Sequence, residues 1–593
     1  MSSPGPGRLI VVLLAIVGLF AFRLIYGLSM PFWSEDERQV YLIGLQAFAR
    51  GEWPYFGADV VWTGGRVPGA LLGLMVRWPL EVWAAPEAPF VLLNVLSFAA
   101  LALFAWYLSR RYPGVPRWLL WSTPFLLPWT LNFSTHVVNP SYVLIGGVVF
   151  FIGFFEALPA LRWGIVPLAI AWAMMGAGLV WTMQLHLSWV LLPPYILAAA
   201  VGLVAGRRRD GGEVSGFRLR DLPQAAAGLL IGAAITGSLL APTIARHGLG
   251  AGQVESAVQP QPQSPFGVIV TAARVLSFAS FETNRFLGQS STERALTLSR
   301  RPWLMPFVLI VAIAGILHPL WMAVSAFRPA RDGPADWTAV RLLLGATILL
   351  IYGSYFFSVR GAQAHSFYVV FPVALLFACA CWEARVRAAG GRMPRLERVA
   401  AAALVASVVM HAGLAADRWT RQSLYVDRAL VAGAIEQRMD RWLGERRGVA
   451  LVPPARPAGL GPDAGRAFDE AFLTASAMDD LQVIATTWTP VLDRFSGFTL
   501  SVAHTGRAAA WLDIRFATAY MAADGRLLAA REGVIKQILQ PGQLRTWTDI
   551  ADDLVPPGAV TATITIIGAE KAIPARPPNR TGAQASILSI HTY

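Results

Sequence analysis

The feature that most restricts this chain is a series of apolar runs, each about as long as a hydrocarbon layer is thick. A bilayer core of roughly 30 Å takes about 20 apolar residues per helix. Runs of that kind fall near 9–29, 89–109, 117–134, 140–158, 163–182, 187–205, 223–243, 303–326, 338–357, 366–383 and 398–416. They predict a polytopic α-helical membrane protein of about 11 transmembrane helices. The 593 residues are 55% hydrophobic and 14% charged, with mean hydropathy +0.50. Soluble domains carry roughly 25% charged residues, so a wholly cytosolic enzyme is excluded, as is a disordered chain. The first run is too long for a signal peptide, holds Arg23 inside it, and lacks a small-residue cleavage site before Trp33.

The formal net charge is +13 and the pI about 10.2. Lys536 and Lys571 are the only lysines, so the positive charge is almost all arginine. The arginines sit in short clusters between apolar runs, with no basic stripe interleaved with aromatics, which excludes nucleic acid as a partner. Arg110–Arg111, Arg207–Arg209 and the segment Arg385 to Arg398 fall on one side when the runs are threaded alternately. Positive loops stay inside, so the N-terminus is expected in the cytoplasm and, after an odd number of spans, the C-terminus outside. Cys379 and Cys381 stand two apart in an apolar run, where helical geometry turns them in different directions; no disulfide is expected.

Two outer segments exceed ordinary connectors, 30–89 and 244–302. The first contains amphipathic stretches at 37–50 and 68–83, which read as helices lying along the membrane surface. Trp53, Trp62, Trp78 and Trp83 would anchor them at the interface. The second is rich in Gly, Pro and Gln before a helical stretch at 266–287, and long loops over membrane sites often gate substrates. Of the 36 acidic residues, 18 follow residue 416, which marks a domain boundary. The expected organisation is a membrane domain 1–416, a helical connector 417–480 with helical spacing at 423–447, and an outer β-sandwich-like domain 481–593. The last region shows short strand-like runs at 481–487, 498–504, 510–521, 560–567 and 587–591, with a turn at Asp524–Gly525.

The residues after the first run carry the chemistry. Phe32-Trp33-Ser34-Glu35-Asp36-Glu37 is followed by Tyr41, by Gly51-Glu52-Trp53-Pro54-Tyr55, and by Arg66-Val67-Pro68-Gly69. Carboxylates favour a helix N-terminus, so three acids capping an interfacial helix is the plain alternative. The pattern resembles the GT-C superfamily of integral membrane glycosyltransferases, and within it the family-39-like branch with protein mannosyltransferases and the aminoarabinose transferases of lipid A. Those families carry an Asp-Glu pair beyond the first span, a surface helix ending in Gly-Asp/Glu-Trp, and a Lys-Pro-Pro-like element opening a second surface helix. Asp36-Glu37, Gly51-Glu52-Trp53 and Arg66-Val67-Pro68 stand in those places. Arg66 replaces the lysine and Val67 the first proline. The resemblance covers roughly 9–205 by motif, continues to 416 by topology alone, and does not reach the C-terminal region.

The resemblance implies a hexosyl- or pentosyltransferase whose donor is a sugar on a polyprenyl phosphate, presented at the outer face of a bacterial plasma membrane. An acceptor hydroxyl on a glycan, lipid or protein must lose a proton as it attacks the anomeric carbon, which calls for a carboxylate base. It casts Asp36 in that role with inversion of configuration and Glu37 as its helper, since clustered acids tune one another; Glu35 is a bystander. The departing lipid phosphate needs fixed positive charge. Arg66 takes that part first, because a guanidinium suits a bidentate phosphate contact; Arg360, near His365 and Tyr368, is the next candidate, ahead of Arg285 and Arg294. Tyr55, Gln184, His186, His365 and Tyr368 are candidate substrate-lining residues, with Ser188, His136 and Asn139 near them. No metal-binding motif is present. Some GT-C enzymes use a divalent cation near the first-loop carboxylates, and Glu35, Asp36 and Glu37 are the residues that would hold it. Competing readings are a lipid-linked glycan transporter or flippase, and a surface polysaccharide polymerase or ligase. The halves lack the repeat symmetry of transporters.

Overall fold

The structure, a computed structural model, describes residues 6–30, 35–60, 65–83, 85, 87–205, 221–250, 252, 258, 260, 262–277, 284–288, 291–329, 333–358, 368–420, 463–464, 467, 470–471, 474–491, 495–507, 509–535, 539, 541–547 and 555–572. The chain opens with α1 (Pro6–Leu28) and α2 (Glu35–Arg50), then a small hairpin of β1 (Phe56–Asp59) and β2 (Arg66–Pro68), then α3 (Leu71–Val82). The helices α4 (Ala88–Arg111), α5 (Arg117–Leu126), α6 (Pro128–Phe133), α7 (Asn139–Ala157), α8 (Leu168–Met183), α9 (Pro193–Val204), α10 (Asp221–Gly237) and α11 (Ala241–His247) follow. Next come α12 (Gly267–Leu276), α13 (Asn284–Leu287), α14 (Ser291–Arg300), α15 (Met305–Ala326), α16 (Trp337–Ser354), α17 (Phe371–Ala388) and α18 (Pro394–Thr420). Two compact units result: 1–30 with 53–420, and 31–52 with 421–593.

The first unit is a multi-pass membrane bundle. Among the described residues, seven helices are long and apolar enough to cross a bilayer: Ala88–Arg111, Asn139–Ala157, Leu187–Val204, Pro302–Ala326, Trp337–Phe357, Tyr368–Ala388 and Pro394–Trp419. α10 and α11 meet that measure only together and are bent by 71°. The remaining expected spans are shorter. α8 begins only after Pro167 and has 16 residues, and the described apolar stretch of α1 is Val12–Leu28. The run 117–134 does not form one helix. Pro128 lacks an N–H, and the residue before a proline is pushed to extended geometry, so Leu127 turns to ψ 140° and separates α5 from α6. The break frees two carbonyls. Phe125 O accepts from Arg23 Nη1 at 2.7 Å and Leu126 O from Ser407 Oγ at 2.7 Å.

α7 and α17 form the centre, each 89% buried, whereas α15 and α16 present most of their surface outward. Close helix contacts use small residues, as expected where lipid supplies no hydrophobic drive between helices. A Cβ on Gly232 of α10 would overlap the Ala173 carbonyl of α8, and one on Gly176 of α8 would overlap the Leu229 carbonyl. One end of the bundle is closed by a buried ionic cluster. Arg111 Nη2 meets Asp336 Oδ2 at 2.6 Å and Leu161 O at 2.7 Å, and its Nη1 reaches the Tyr107 hydroxyl. Tyr107 donates in turn to Glu156, whose other oxygen accepts the backbone N–H groups of Gly164 and Ile165. Glu383 accepts from Gly114 N at the same end. Charges this enclosed persist only when paired and hydrogen-bonded.

Among the described residues, the second unit contains α2, a short α19 (Ala477–Asp480) and six strands: β3 (Leu481–Val491), β4 (Phe495–His504), β5 (Ala510–Met521), β6 (Leu527–Ile535), β7 (Leu544–Trp547) and β8 (Thr561–Ala572). They make two antiparallel three-stranded sheets, ordered β3-β4-β7 and β6-β5-β8. Phe498, Leu500 and Val502 of one sheet and Trp511, Ile514, Phe516 and Ile564 of the other share one core, which makes a small sandwich. Gly525 at φ +79° turns β5 into β6, with Arg526 N donating to Asp524 Oδ1. The sequence runs anticipated β3, β4, β5 and β8 but not β6 or β7; the stretches 423–447 and 587–591 lie outside the described residues. On α2, Val40, Tyr41 and Leu45 form a buried apolar face.

Candidate functional site

The hairpin in the first long loop is built on its turn residues. β1 and β2 pair antiparallel with Phe56 opposite Pro68 and Asp59 opposite Arg66. Gly69 ends the hairpin at φ +120°, a backbone region open to glycine, and its N–H donates to Tyr55 O at 3.0 Å. The segment therefore enters α3 only at Leu71, not at residue 68 as the amphipathic pattern suggested, and Arg66-Val67-Pro68 is a strand. Gly69 lies against Gln184, where a Cβ would stand 2.5 Å from Gln184 Cγ and 2.7 Å from its Oε1. The Arg66 backbone N–H donates to Gly252 O at 2.6 Å, so the second long loop touches the first at this strand. The Arg66 side chain is exposed.

Gln184 is fully buried at the end of α8. Its Nε2 donates to Thr236 O at 3.0 Å and Val180 O at 3.2 Å, while Oε1 has no hydrogen-bond partner among the described residues. His186 caps the short 3-10 helix Leu187–Leu191, its Nδ1 accepting from Ser188 N at 3.1 Å. That bond requires a bare Nδ1, and burial pushes the imidazole down to about 4, so the ring is neutral at physiological pH. The buried Ser188 hydroxyl has no partner among the described residues. Asn139 Nδ2 reaches Leu185 O at 3.5 Å. His136, in the turn between α6 and α7, is pushed down to about 3 by burial and by the positive charge of Arg418.

Tyr55 gathers groups that sequence reasoning missed. Its carbonyl accepts from Thr243 Oγ1 at 2.8 Å, and its hydroxyl accepts from Arg246 Nη1 at 2.9 Å. The Arg246 guanidinium lies 4.8 Å from the Tyr55 ring centroid, and the His247 ring meets the same tyrosine edge-on at 5.1 Å. The bend between α10 and α11 turns these two residues toward the hairpin; a lone apolar run gives no sign of it.

A buried polar cluster completes this end of the bundle. Arg23 Nη2 donates to Ser134 Oγ at 2.6 Å, Tyr26 to Asn132 Oδ1 at 2.7 Å, and Asn132 Nδ2 lies 3.2 Å from His411 Nε2. Arg418 stands over the Tyr26 ring and donates to Phe286 O at 3.0 Å. The one sequence signal here was an arginine inside an apolar run. Tyr368 is fully buried in this layer, where it donates to Trp129 O at 2.7 Å and packs on Trp129 and Phe133.

Hairpin, Tyr55, Gln184, His186, His136 and Asn139 thus collect at the end opposite Arg111, from segments far apart in sequence. Glu35, Asp36 and Glu37 open α2 in the second unit, and their side chains lie outside the described residues. Arg360 and His365 lie outside them entirely, as does the Arg285 side chain. Arg294 Nε donates to Gly288 O at 2.9 Å, a local loop bond. Among the described residues no three His, Cys, Asp or Glu side chains come together as a metal site.

No family model matches the chain, and no curated protein does. Among solved structures, the chain is similar to ArnT from Cupriavidus metallidurans bound to undecaprenyl phosphate, with 12% identity over 65% of this chain and 78% of that one and a TM-score of 0.33. It is also similar to the arabinosyltransferase EmbB from Mycobacterium smegmatis, with 14% identity over 97% of this chain and a TM-score of 0.35. The match spans 65% of the length of EmbB.

Proposed function

We propose that this chain is a membrane glycosyltransferase of the GT-C type, moving a hexosyl or pentosyl group from a polyprenyl-phosphate donor to an acceptor hydroxyl outside the cytoplasm. The supporting observation is the seating of the Phe56–Pro68 hairpin on Gln184, through Gly69, at the mouth of an apolar bundle. That arrangement sets an exposed guanidinium and several buried polar groups at the boundary where a lipid phosphate would stand. In this reading the acceptor oxygen forms its bond to the anomeric carbon from the face opposite the phosphate, inverting the centre. Its proton passes to the Asp36 carboxylate, and the sugar–phosphate C–O bond breaks with its electron pair leaving on the lipid phosphate. Glu37 supports Asp36, and Arg66, Arg360 and Arg246 balance the growing phosphate charge. Tyr55, Gln184, His186 and His365 border the substrate, while Tyr368 supports the wall through Trp129. A divalent cation, where one is used, would sit on Glu35, Asp36 and Glu37 and add positive charge.

The test is sugar transfer by the purified full chain in proteoliposomes, with a set of polyprenyl-monophosphate sugars and a short glycan acceptor. Asp36→Asn keeps shape and removes basicity; it is expected to lower transfer by about 10²-fold or more at unchanged thermal stability. Transfer at the wild-type rate removes Asp36 as base. Movement of intact lipid-linked sugar across the bilayer without a new glycosidic bond favours a transporter instead.

A further inference from the structure

The bundle holds a concavity away from the first-loop end. A cavity of about 530 Å³ opens among α5, α15, α17 and α18, within the range of ligand pockets. Its wall is apolar, with Leu120, Ile313, Leu375, Val399 and Ala403 typical. Along α18 it extends from Leu396 to Ser407, which at 1.5 Å per residue is roughly 16 Å, about half of a 30 Å hydrocarbon core. That depth fits the acyl chains of one leaflet. The leaflet is the one at the Arg111 end, because Leu396 stands at the start of α18 and Trp382 near the end of α17, one residue before the Glu383 that holds Gly114.

Two N–H donors of α17, one lining this groove and one a turn further along the helix, have no acceptor among the described residues. Trp382 lines it and is 6% exposed, yet its Nε1–H has no acceptor among the described residues. Three residues on, along the same helix face, the buried Nε of Arg385 likewise has no hydrogen-bond partner among the described residues. Arg328 lies close enough to act on the Arg385 charge. By contrast, Arg387 and Arg392 nearby are paired with Glu383 and Glu397. Buried N–H groups without acceptors are rare in finished structures and call for an explanation.

We propose that this groove binds an anionic phospholipid of the leaflet at the Arg111 end, with its chains along the apolar wall and its ester and phosphate oxygens accepting from Trp382 and Arg385. An anionic headgroup answers two neighbouring guanidinium groups, whereas a zwitterionic one brings its own cation into them. Concentrated arginine marks this as the cytoplasmic leaflet, and basic pockets between helices on that side are where such headgroups dock. The site is separate from the transfer site, and neither reading depends on the other.

The purified full chain in detergent is titrated with phosphatidylglycerol and with phosphatidylcholine, and bound lipid is counted by native mass spectrometry. Phosphatidylglycerol is expected to bind about tenfold more tightly. Arg328→Ala with Arg385→Ala is expected to bring that preference down to about twofold. Trp382→Phe keeps the ring, removes the donor, and is expected to weaken phosphatidylglycerol severalfold even where the double variant folds poorly. Equal binding of the two lipids by the wild type overturns the proposal, as does an undiminished preference in these variants. Displacement of bound phosphatidylglycerol by a polyprenyl monophosphate also overturns it and gives the groove to the donor lipid.

Discussion

Gly69→Ala should separate the hairpin from the bundle, and the structure sets the size of the effect. At φ +120° an L-residue is strained by about 1–3 kcal/mol. The new Cβ would also stand 2.5 Å from Gln184 Cγ, too close for any real contact. Gln184 is a side chain and can move, but moving it surrenders the Nε2 bonds to Thr236 O and Val180 O, at about 0.5–1.5 kcal/mol each. The sum is about 2–6 kcal/mol, and every 1.4 kcal/mol is tenfold in an opening equilibrium. Amide exchange followed by mass spectrometry reads this locally. The N–H groups of Val60, Arg66 and Gly69, which donate to Gly65, Gly252 and Tyr55, should exchange at least about tenfold faster, and the proposed sugar transfer should fall in parallel. Gly164→Ala is the control: it has φ +74° with open space around it, so it carries the strain without the collision. Unchanged exchange at Arg66 and Gly69 in Gly69→Ala would refute the claim that this glycine docks the hairpin.

Asp336→Ala leaves Arg111 buried without its 2.6 Å partner and should cost about 3–5 kcal/mol, seen as a lowered unfolding midpoint in detergent; pairing it with Arg111→Met should recover part of the loss. The pH response follows from His136 and His186, which titrate at about 3 and about 4 when folded and near 6.5 when unfolded. Between those values the unfolded chain binds more protons, so stability is full above about pH 6.5 and declines as pH falls toward 4 and then 3. His136→Gln should flatten that acid limb in a thermal scan across pH, and an unaltered limb would count against the assignment. Gly232→Val drives a branched side chain into the Ala173 carbonyl of α8; backbone cannot swing aside, so monodisperse protein on size exclusion should drop sharply, while Gly345→Val, with open space around it, should not.

Hydropathy made the long central helices legible: 89–109 against Ala88–Arg111, and 140–158 against Asn139–Ala157. It misplaced helices wherever backbone chemistry overrode side-chain apolarity. Pro128 divided the run 117–134, and Gly69 held the surface helix back to Leu71. Tyr55 and Arg66 from the first-loop segment and Gln184 from a polar span end were singled out in sequence, and the structure brings Tyr55 and Gln184 together around Gly69. Arg246, Asn132, His411 and Arg418 were not legible, since their meaning comes from partners 100 residues or more away, as in the 2.9 Å bond from Arg246 to Tyr55 across 191 positions. Arg111 read as a topology marker and is also the hub of a buried cluster. One residue served two constraints, and the pattern displays only the first.

The interruption at Leu127 has a consequence for how the molecule tolerates change. An unbroken helix keeps its carbonyls for itself; this one lends two of them, at Phe125 and Leu126, to Arg23 on the first helix and Ser407 on the last. A substitution that mended the helix, such as Pro128→Ala, would reclaim both oxygens and loosen the splice joining the beginning, middle and end of the membrane region. What looks like a defect in one rod is the knot that ties three together.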